Sequence, residues 1–321
     1  MSDSLERINP ILPSGNKSFT WLSDVASDSK PWDVHRSEAL DLETVYFNAT
    51  IEWIRRYSDR IKDCSEVLEF GWKPDKETGE VKLKLARASF CRVRHCPVCQ
   101  WRRSMKWQAR MLEAIPLIKK DYPSYRWIFL TLTVKNCEVS ELRETLNAMN
   151  KGFARLSQLK SYPGKGWVKC IEVTKSTEAM AHPHIHCLIL VSSAYFGGSY
   201  YLNQSEWVKL WKKSCRLDYN PVVDVRVIKP KQGKSDIESA IAETLKYTVK
   251  PSDMIEDGPW LYELTNQLHK TRAVSIGGIL RQYLMATEPE PEEEPDNDNP
   301  GGQYFYWHGN KRRYGSRAPR T

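Results

Sequence analysis

The chain has 321 residues, of which 40% are hydrophobic and 27% charged, and its formal net charge is +8 at pH 7. That length and apolar content bury one large core or two modest ones, which excludes a wholly disordered or fibrous chain. No apolar run reaches the roughly 18 residues of a membrane span, and the polar start "MSDSLERINP" lacks a secretion-signal layout. A cytoplasmic protein without membrane association is therefore expected, its eight cysteines serving as thiols or metal ligands.

Residues 1–37, rich in Ser, Asp, Asn and Pro, read as a mobile N-terminal arm. From Ser37 to Asp63 the apolar residues Leu40, Val45, Ile51, Ile54 and Ile61 recur at roughly helical spacing and predict one or two helices. Four cysteines follow, then a helix through "SMKWQARMLEAIPLIKK", so residues 38–110 are expected to form a helical, zinc-binding, DNA-contacting module. Between Lys82 and Arg126 basic residues far outnumber the two acids, Glu113 and Asp121. Such a stripe suits a polyanion such as nucleic acid, although a solvated basic face has the same composition.

Residues 111–285 mix strand-like runs ("RWIFLTLTV", "GWVKCIEVT", "HIHCLILV", "PVVDVRVI") with helix-like ones ("QSEWVKLWKKSC", "DIESAIAETLKYTVK"), predicting an α+β domain. Residues 286–301 are too acidic and Pro-rich to fold alone and read as a linker. Residues 302–321 form a basic aromatic tail, with Tyr304, Phe305, Tyr306 and Trp307 ahead of Lys311, Arg312 and Arg313. It is either a disordered end or a stacking platform for single-stranded bases.

"FCRVRHCPVCQWRR" spaces Cys91, Cys96 and Cys99 as C-x4-C-x2-C, and Cys64 lies upstream. Four thiolates close a tetrahedral zinc site, with Cys96-Pro-Val-Cys99 as a two-ligand knuckle. His95 can stand in for Cys64 as fourth ligand, but side-by-side ligands at His95 and Cys96 are sterically awkward. Cys137, Cys170, Cys187 and Cys215 are scattered and read as small core residues.

In "AHPHIHCLILV" alternate positions share a strand face, so His182, His184 and His186 project together while Ile185, Cys187 and Ile189 face the other way. That arrangement suits a metal, and a hard divalent ion also calls for a carboxylate. If the strand carrying Glu172 pairs with the histidine strand through the loop "TKSTEAMA", Glu172 comes to lie opposite the pair. In "DIESAIAETLKYTVK", Ile237, Ile241 and Leu245 make a buried helical stripe, which leaves Glu243 and Tyr247 on the opposite face. A tyrosine titrates near pH 10 and is a poor nucleophile unless a metal or base helps form its phenolate. Lys246 and Lys250 would set positive charge beside a phosphate attacked there.

"FLTLTV", "HPHIHCLILV" and "ETLKYTVK" in this order resemble the three motifs of rolling-circle plasmid replication initiators of the HUH endonuclease superfamily. "CRVRHCPVCQWRR" and "YYLNQSEWVKLWKKSCRLDYNPVVDVRVI" are similar to the zinc-bearing initiators of that group. The resemblance, over about residues 45 to 285, implies a central antiparallel sheet of HUH type with flanking helices, plus a small N-terminal zinc-binding module. It implies that Tyr247 attacks one phosphodiester of single-stranded or cruciform DNA at the plasmid origin, leaving a 5′-phosphotyrosine and a 3′-hydroxyl primer, with later rejoining. It implies Mg²⁺ or Mn²⁺ on His184 and His186, with Glu172 as third ligand and His182 in reserve, and structural Zn²⁺ on the cysteines. Glu243, four residues before the tyrosine, would activate water at termination. The implied partners are origin DNA, a host polymerase and a host helicase, since no P-loop is present. Arg92, Arg94, Arg102, Arg103, Lys106 and Arg110 are the candidates for gripping phosphates. Two other readings stay open, a single-strand transposase of the same superfamily and a non-catalytic zinc-dependent DNA-binding protein.

Overall fold

The computed structural model describes residues 19–25, 31–74, 79–228, 236–246, 249–285 and 302–317. The acidic linker and all of the arm before residue 19 lie outside them, as does Tyr247. The chain opens with α1 (Leu22–Val25), α2 (Trp32–Phe47) and α3 (Glu52–Lys62), then strands β1 (Val67–Pro74) and β2 (Val81–Ala88) and the long helix α4 (Pro97–Asp121). Next come β3 (Arg126–Thr133), α5 (Leu142–Leu156), β4 (Gly164–Lys175), β5 (Ala181–Val191), α6 (Gln204–Cys215) and β6 (Val223–Val227). The last third holds α7 (Asp236–Thr244), α8 (Pro251–Ile255), α9 (Gly258–Leu268), β7 (Val274–Gly278), α10 (Leu280–Leu284), β8 (Gln303–His308) and β9 (Arg313–Gly315).

This is the expected α+β architecture, built on a five-stranded antiparallel sheet of order β6-β3-β5-β4-β7. Strand alternation divides its residues between two faces. Ile185, Cys187 and Ile189 of β5, with Leu130 and Leu132 of β3 and Ile171 and Val173 of β4, join the larger core that also holds Met149 and Phe153 of α5. On the other face Val168, Leu188 and Leu190 are buried by Met111, Ala114 and Ile118 of α4, Ala240 and Ile241 of α7, and Leu280 and Leu284 of α10. The three histidines of β5 stand on this second face, in line with Leu188 and Leu190.

Helix α4 begins with Pro97, whose missing N–H costs nothing at a first helical position, and carries Cys99 at that end. Its other end packs on the sheet, so the boundary expected at residue 110 falls inside one continuous helix. Buried Arg36 of α2 donates to the carbonyls of Ile61 at 2.8 Å and Lys62 at 2.5 Å, satisfying the end of α3 just before Cys64.

Residues 302–317, read from sequence as a tail, are instead the β8–β9 hairpin, which extends a second sheet of order β2-β1-β8-β9. β8 pairs antiparallel with β1, Val67 opposite Tyr306 and Leu68 opposite Phe305. The physical reason is alternation: Phe305 and Trp307 turn inward and are buried, while Tyr304 stays exposed. Burial pushes the Tyr314 phenol up, so it remains a donor, and it gives its proton to the Ser65 carbonyl at 2.6 Å. Tyr314→Phe strands that carbonyl and should cost about 1–3 kcal/mol, read as a lower urea midpoint by circular dichroism. An unchanged midpoint would show that the hairpin is not docked in this way.

Candidate functional site

Cys64, Cys91, Cys96 and Cys99 come together with all four Sγ atoms within 4.8 Å of one another. The Sγ separations are 3.7 Å for Cys64–Cys99, 3.5 Å for Cys91–Cys99 and 3.7 Å for Cys64–Cys96. Zinc bonded to sulfur at about 2.3 Å in a tetrahedron sets its ligands about 3.8 Å apart, so the cluster fits that ion. The backbone helps: Arg92 adopts a left-handed φ of 57°, and the Val93 amide donates to Cys91 Sγ at 3.4 Å, as the Cys91 amide does to Cys64 Sγ at the same distance. Hydrogen bonds from Cys64 and Cys91 draw the Cys99 thiol down, toward the thiolate that binds metal. Cys64 is thus in the set, and His95 lies outside it, buried with neither ring nitrogen partnered among the described residues. Cys170 and Cys187 are core thiols whose ionisation burial opposes, Cys170 being pushed up to about 12.

The second constellation is set by strand register. Glu172 of β4 stands opposite His184 of β5, Cys170 opposite His186, and Thr131 of β3 opposite His186 from the other side. Diagonally across the hairpin His186 Nε2 lies 2.7 Å from Glu172 Oε2, and Lys246 Nζ lies 3.1 Å from the same oxygen. Glu172 is only 5% exposed. Burial alone would raise its carboxyl, but the hydrogen bonds from His186 and Lys246 and the charge of Lys246 hold it below the usual value. With Nε2 of His186 on Glu172, its Nδ1 faces the Thr131 hydroxyl, 3.3 Å away. The ring also stacks on Phe129, centroids 5.7 Å apart.

His184 lies against Thr174, Nε2 to Oγ1 3.3 Å, and stacks on His182 with centroids 4.2 Å apart. Burial, then the neighbouring His182 and His186, lower the His184 imidazole to about 4, so its lone pair is available at neutral pH. An octahedral divalent ion with ligands near 2.1 Å sets adjacent donors about 3 Å apart, which the Glu172–His186 pair matches within a few tenths. His184 stands on the same sheet face, although among the described residues only the four cysteines already gather three or more ligand atoms within 4.8 Å of one another. His182, half-buried at the outer end of the row, is not brought to Glu172.

Helix α7 ends at Thr244, two residues before Lys246, earlier than the sequence pattern predicts. Leu245 and Ile241 are buried as expected, and the Ser104 hydroxyl of α4 donates to the Leu245 carbonyl. This ending lets Lys246 leave the helix and reach Glu172. Tyr247 follows it directly but lies outside the described residues. Glu243 is on the exposed side of α7, and Lys250 is exposed just ahead of α8.

Of the basic stripe, Arg92, Arg94, Arg103, Lys106 and Arg110 line one cleft, whereas Arg102 turns away and lies 3.9 Å over the Phe90 ring. Sequence reasoning missed Thr131 and Thr174, the hydroxyls beside the histidines. Thr131 sits in "FLTLTV" two residues before Thr133, and period-2 alternation would have put both on the histidine face.

The chain thus joins an α+β fold and a four-cysteine cluster fit for zinc to paired histidines and a carboxylate on one sheet face, an arrangement in keeping with a replication protein. A family model described as "Replication protein" matches residues 82–314. The chain belongs to this replication protein family, Rep_1, in keeping with the resemblance to rolling-circle plasmid initiators that its ordered motifs carry. It is 36% identical over 244 residues to a "Protein rep" of Streptococcus pneumoniae, covering 74% of each chain. It is 35% identical over 284 residues to one of Bacillus amyloliquefaciens, covering 78% of this chain and 82% of that one. Similarity to one of Lactiplantibacillus plantarum is 34% over 279 residues, covering 83% and 85%. No solved structure matches the chain, and no helix among the described residues is long and apolar enough to cross a membrane.

Purified protein should carry one equivalent of zinc by plasma mass spectrometry. Cys99→Ser, which removes a thiol placed next to two others, should lose that zinc, whereas Cys187→Ser keeps it. Full zinc retention in Cys99→Ser would remove the four-cysteine assignment.

Proposed function

We infer that the protein initiates rolling-circle replication of a plasmid by nicking one strand at the origin, with Tyr247 as nucleophile. The observation that carries this reading is the contact between Lys246 and Glu172. It brings the residue that precedes Tyr247 to the carboxylate shared with His186. The phenolate oxygen of Tyr247 forms a bond to phosphorus, the bond to the 3′-oxygen breaks, and that oxygen takes up a proton to become the primer hydroxyl. The phosphotyrosyl link keeps the bond energy, so rejoining needs no nucleotide cofactor.

Glu172, His184 and His186 are the residues that would hold Mg²⁺ or Mn²⁺, with His182 outside the set. Such an ion supplies Lewis-acid polarisation of the scissile phosphate. Were Nε2 of His186 given to the ion in place of Glu172, the ring proton would lie on Nδ1, and Thr131 Oγ1, 3.3 Å away, would accept it and fix the ring. Phe129 blocks rotation on the ring's flat side. Lys246 and Lys250 offset phosphate charge around the nucleophile, and the cleft-lining part of the basic stripe, Arg92, Arg94, Arg103, Lys106 and Arg110, positions the DNA backbone, with Arg102 held over Phe90 instead. Extension by host polymerase and unwinding by host helicase follow from the primer and from the absence of a P-loop.

Incubation with labelled single-stranded origin DNA and Mn²⁺ should give a covalent band that maps to Tyr247 and disappears in Tyr247→Phe and with EDTA. An adduct on another tyrosine would overturn the assignment. Glu243 is the water-activating base of termination in this reading. Glu243→Ala should leave the first nick near wild type and lower release of closed circles by about 10²-fold or more. Equal loss of both steps would remove that division of labour.

A further inference from the structure

A cleft of about 960 Å³ lies between the cysteine loop and α4 on one side and the α9–β7 connection with α10 on the other. Nine arginine and lysine side chains line it and no carboxylate does. On α4, Arg103, Lys106 and Arg110 recur at helical spacing and form one wall. The opposite wall, Lys270, Arg272 and Arg281, lies far from the basic stripe in sequence and was not legible there. The cations are held on carbonyls: Arg94 donates to Thr271 at 2.6 Å and Arg281 to Ile276 at 3.2 Å. Among the described residues none of Arg94, Arg103, Lys106 and Arg272 pairs with a carboxylate, so the cleft concentrates one sign of field.

The cleft has the volume of a small-molecule pocket, about 300–1,000 Å³, but such pockets are mostly apolar. This one is walled by cations interleaved with Tyr57, Trp107 and His269, the composition of a single-strand groove. His95 lies in its wall with both ring nitrogens unpartnered, and a buried polar group without a partner calls for one. The cleft also has a direction. Arg103, Trp107, Ala273 and Val274 border both it and a separate small cavity of about 20 Å³, which Cys170 and Lys246 also line. Lys246 in turn touches Glu172.

We propose that this cleft is the channel for the single DNA strand leading to the scissile phosphate, with Arg272 and Arg281 as phosphate contacts on the wall opposite α4. The inference rests on the nicking reading for the identity of the strand, but the cleft binds DNA whether or not Tyr247 is the nucleophile. The shared wall that sets Lys246 next to the cleft is what selects a substrate strand over an unrelated anion.

The test is fluorescence anisotropy of the full-length chain with a labelled mixed-sequence single strand across a potassium chloride series, comparing wild type with Arg272→Ala/Arg281→Ala. Each lost phosphate contact should lower the slope of log affinity against log salt by about 0.7, so the double variant should lose about 1.4. Arg272→Lys/Arg281→Lys should retain the wild-type slope, and zinc content reports that each variant is folded. An unchanged slope in a folded alanine variant overturns the proposal, as does a change seen only with duplex DNA or an equal loss in the lysine variant. The two readings separate in the adduct assay. An alanine variant with normal binding, beside a wild type that forms the Tyr247 adduct, removes the channel alone. A reduced slope beside a wild type that forms no adduct on origin DNA removes the nicking reading and leaves the cleft as a DNA site.

Discussion

The pairing register of β4 with β5 governs the rest of the site. Glu172 faces His184 and reaches His186 diagonally because the strands meet with Ile171 opposite Ile185. A slip of one residue would turn the three histidines into the apolar core and Ile185 and Cys187 out of it. The cost of that exchange locks the register: Ile185, Cys187, Ile189 and Val191 are all fully buried on the opposite face. Packing of residues that take no part in chemistry therefore fixes the polar constellation. The same face then carries α7, whose end delivers Lys246, so one sheet surface gathers the imidazoles, the carboxylate and Lys246.

The four-cysteine cluster is joined to this surface through α4. Cys96 caps the start of the helix and Cys99 lies in its first turn, Cys91 sits in the loop before it, and Cys64 follows α3, whose end is held by Arg36. With 25 residues α4 spans about 37 Å, long enough to be anchored at Cys99 and still pack Met111, Ala114 and Ile118 on the sheet. Zinc at the cysteines, worth on the order of 10 kcal/mol in structural sites, would thereby orient a helix whose exposed stripe is basic. The β8–β9 hairpin closes the same module from the far end of the chain, through Phe305, Trp307 and Tyr314.

What could be read from sequence alone divides along a physical line. The cysteine spacing, the histidine row and the buried stripe of α7 are local patterns, and each is found where its period puts it. Glu172 opposite the histidines was also legible, since a short loop joins the two strands and a hairpin follows. Contacts made across long separations left no local trace. Tyr314 meets Ser65 across 249 positions, and nothing near either residue announces the other. Periodicity continued α7 through Tyr247, but tertiary contacts won: Ser104 takes the Leu245 carbonyl and Glu172 takes Lys246. The far wall of the cleft comes from a loop and a short helix, where composition alone carries no spacing to recognise.

The most direct measurement is a crystal structure of the Tyr247→Phe protein with Mn²⁺ and single-stranded origin DNA, with anomalous data collected at the manganese edge. The account predicts one anomalous peak bounded by Glu172, His184 and His186, with the scissile phosphate beside it and Lys246 displaced from the carboxylate toward the DNA. A peak elsewhere, with Lys246 still on Glu172 and the strand away from this sheet face, would contradict it.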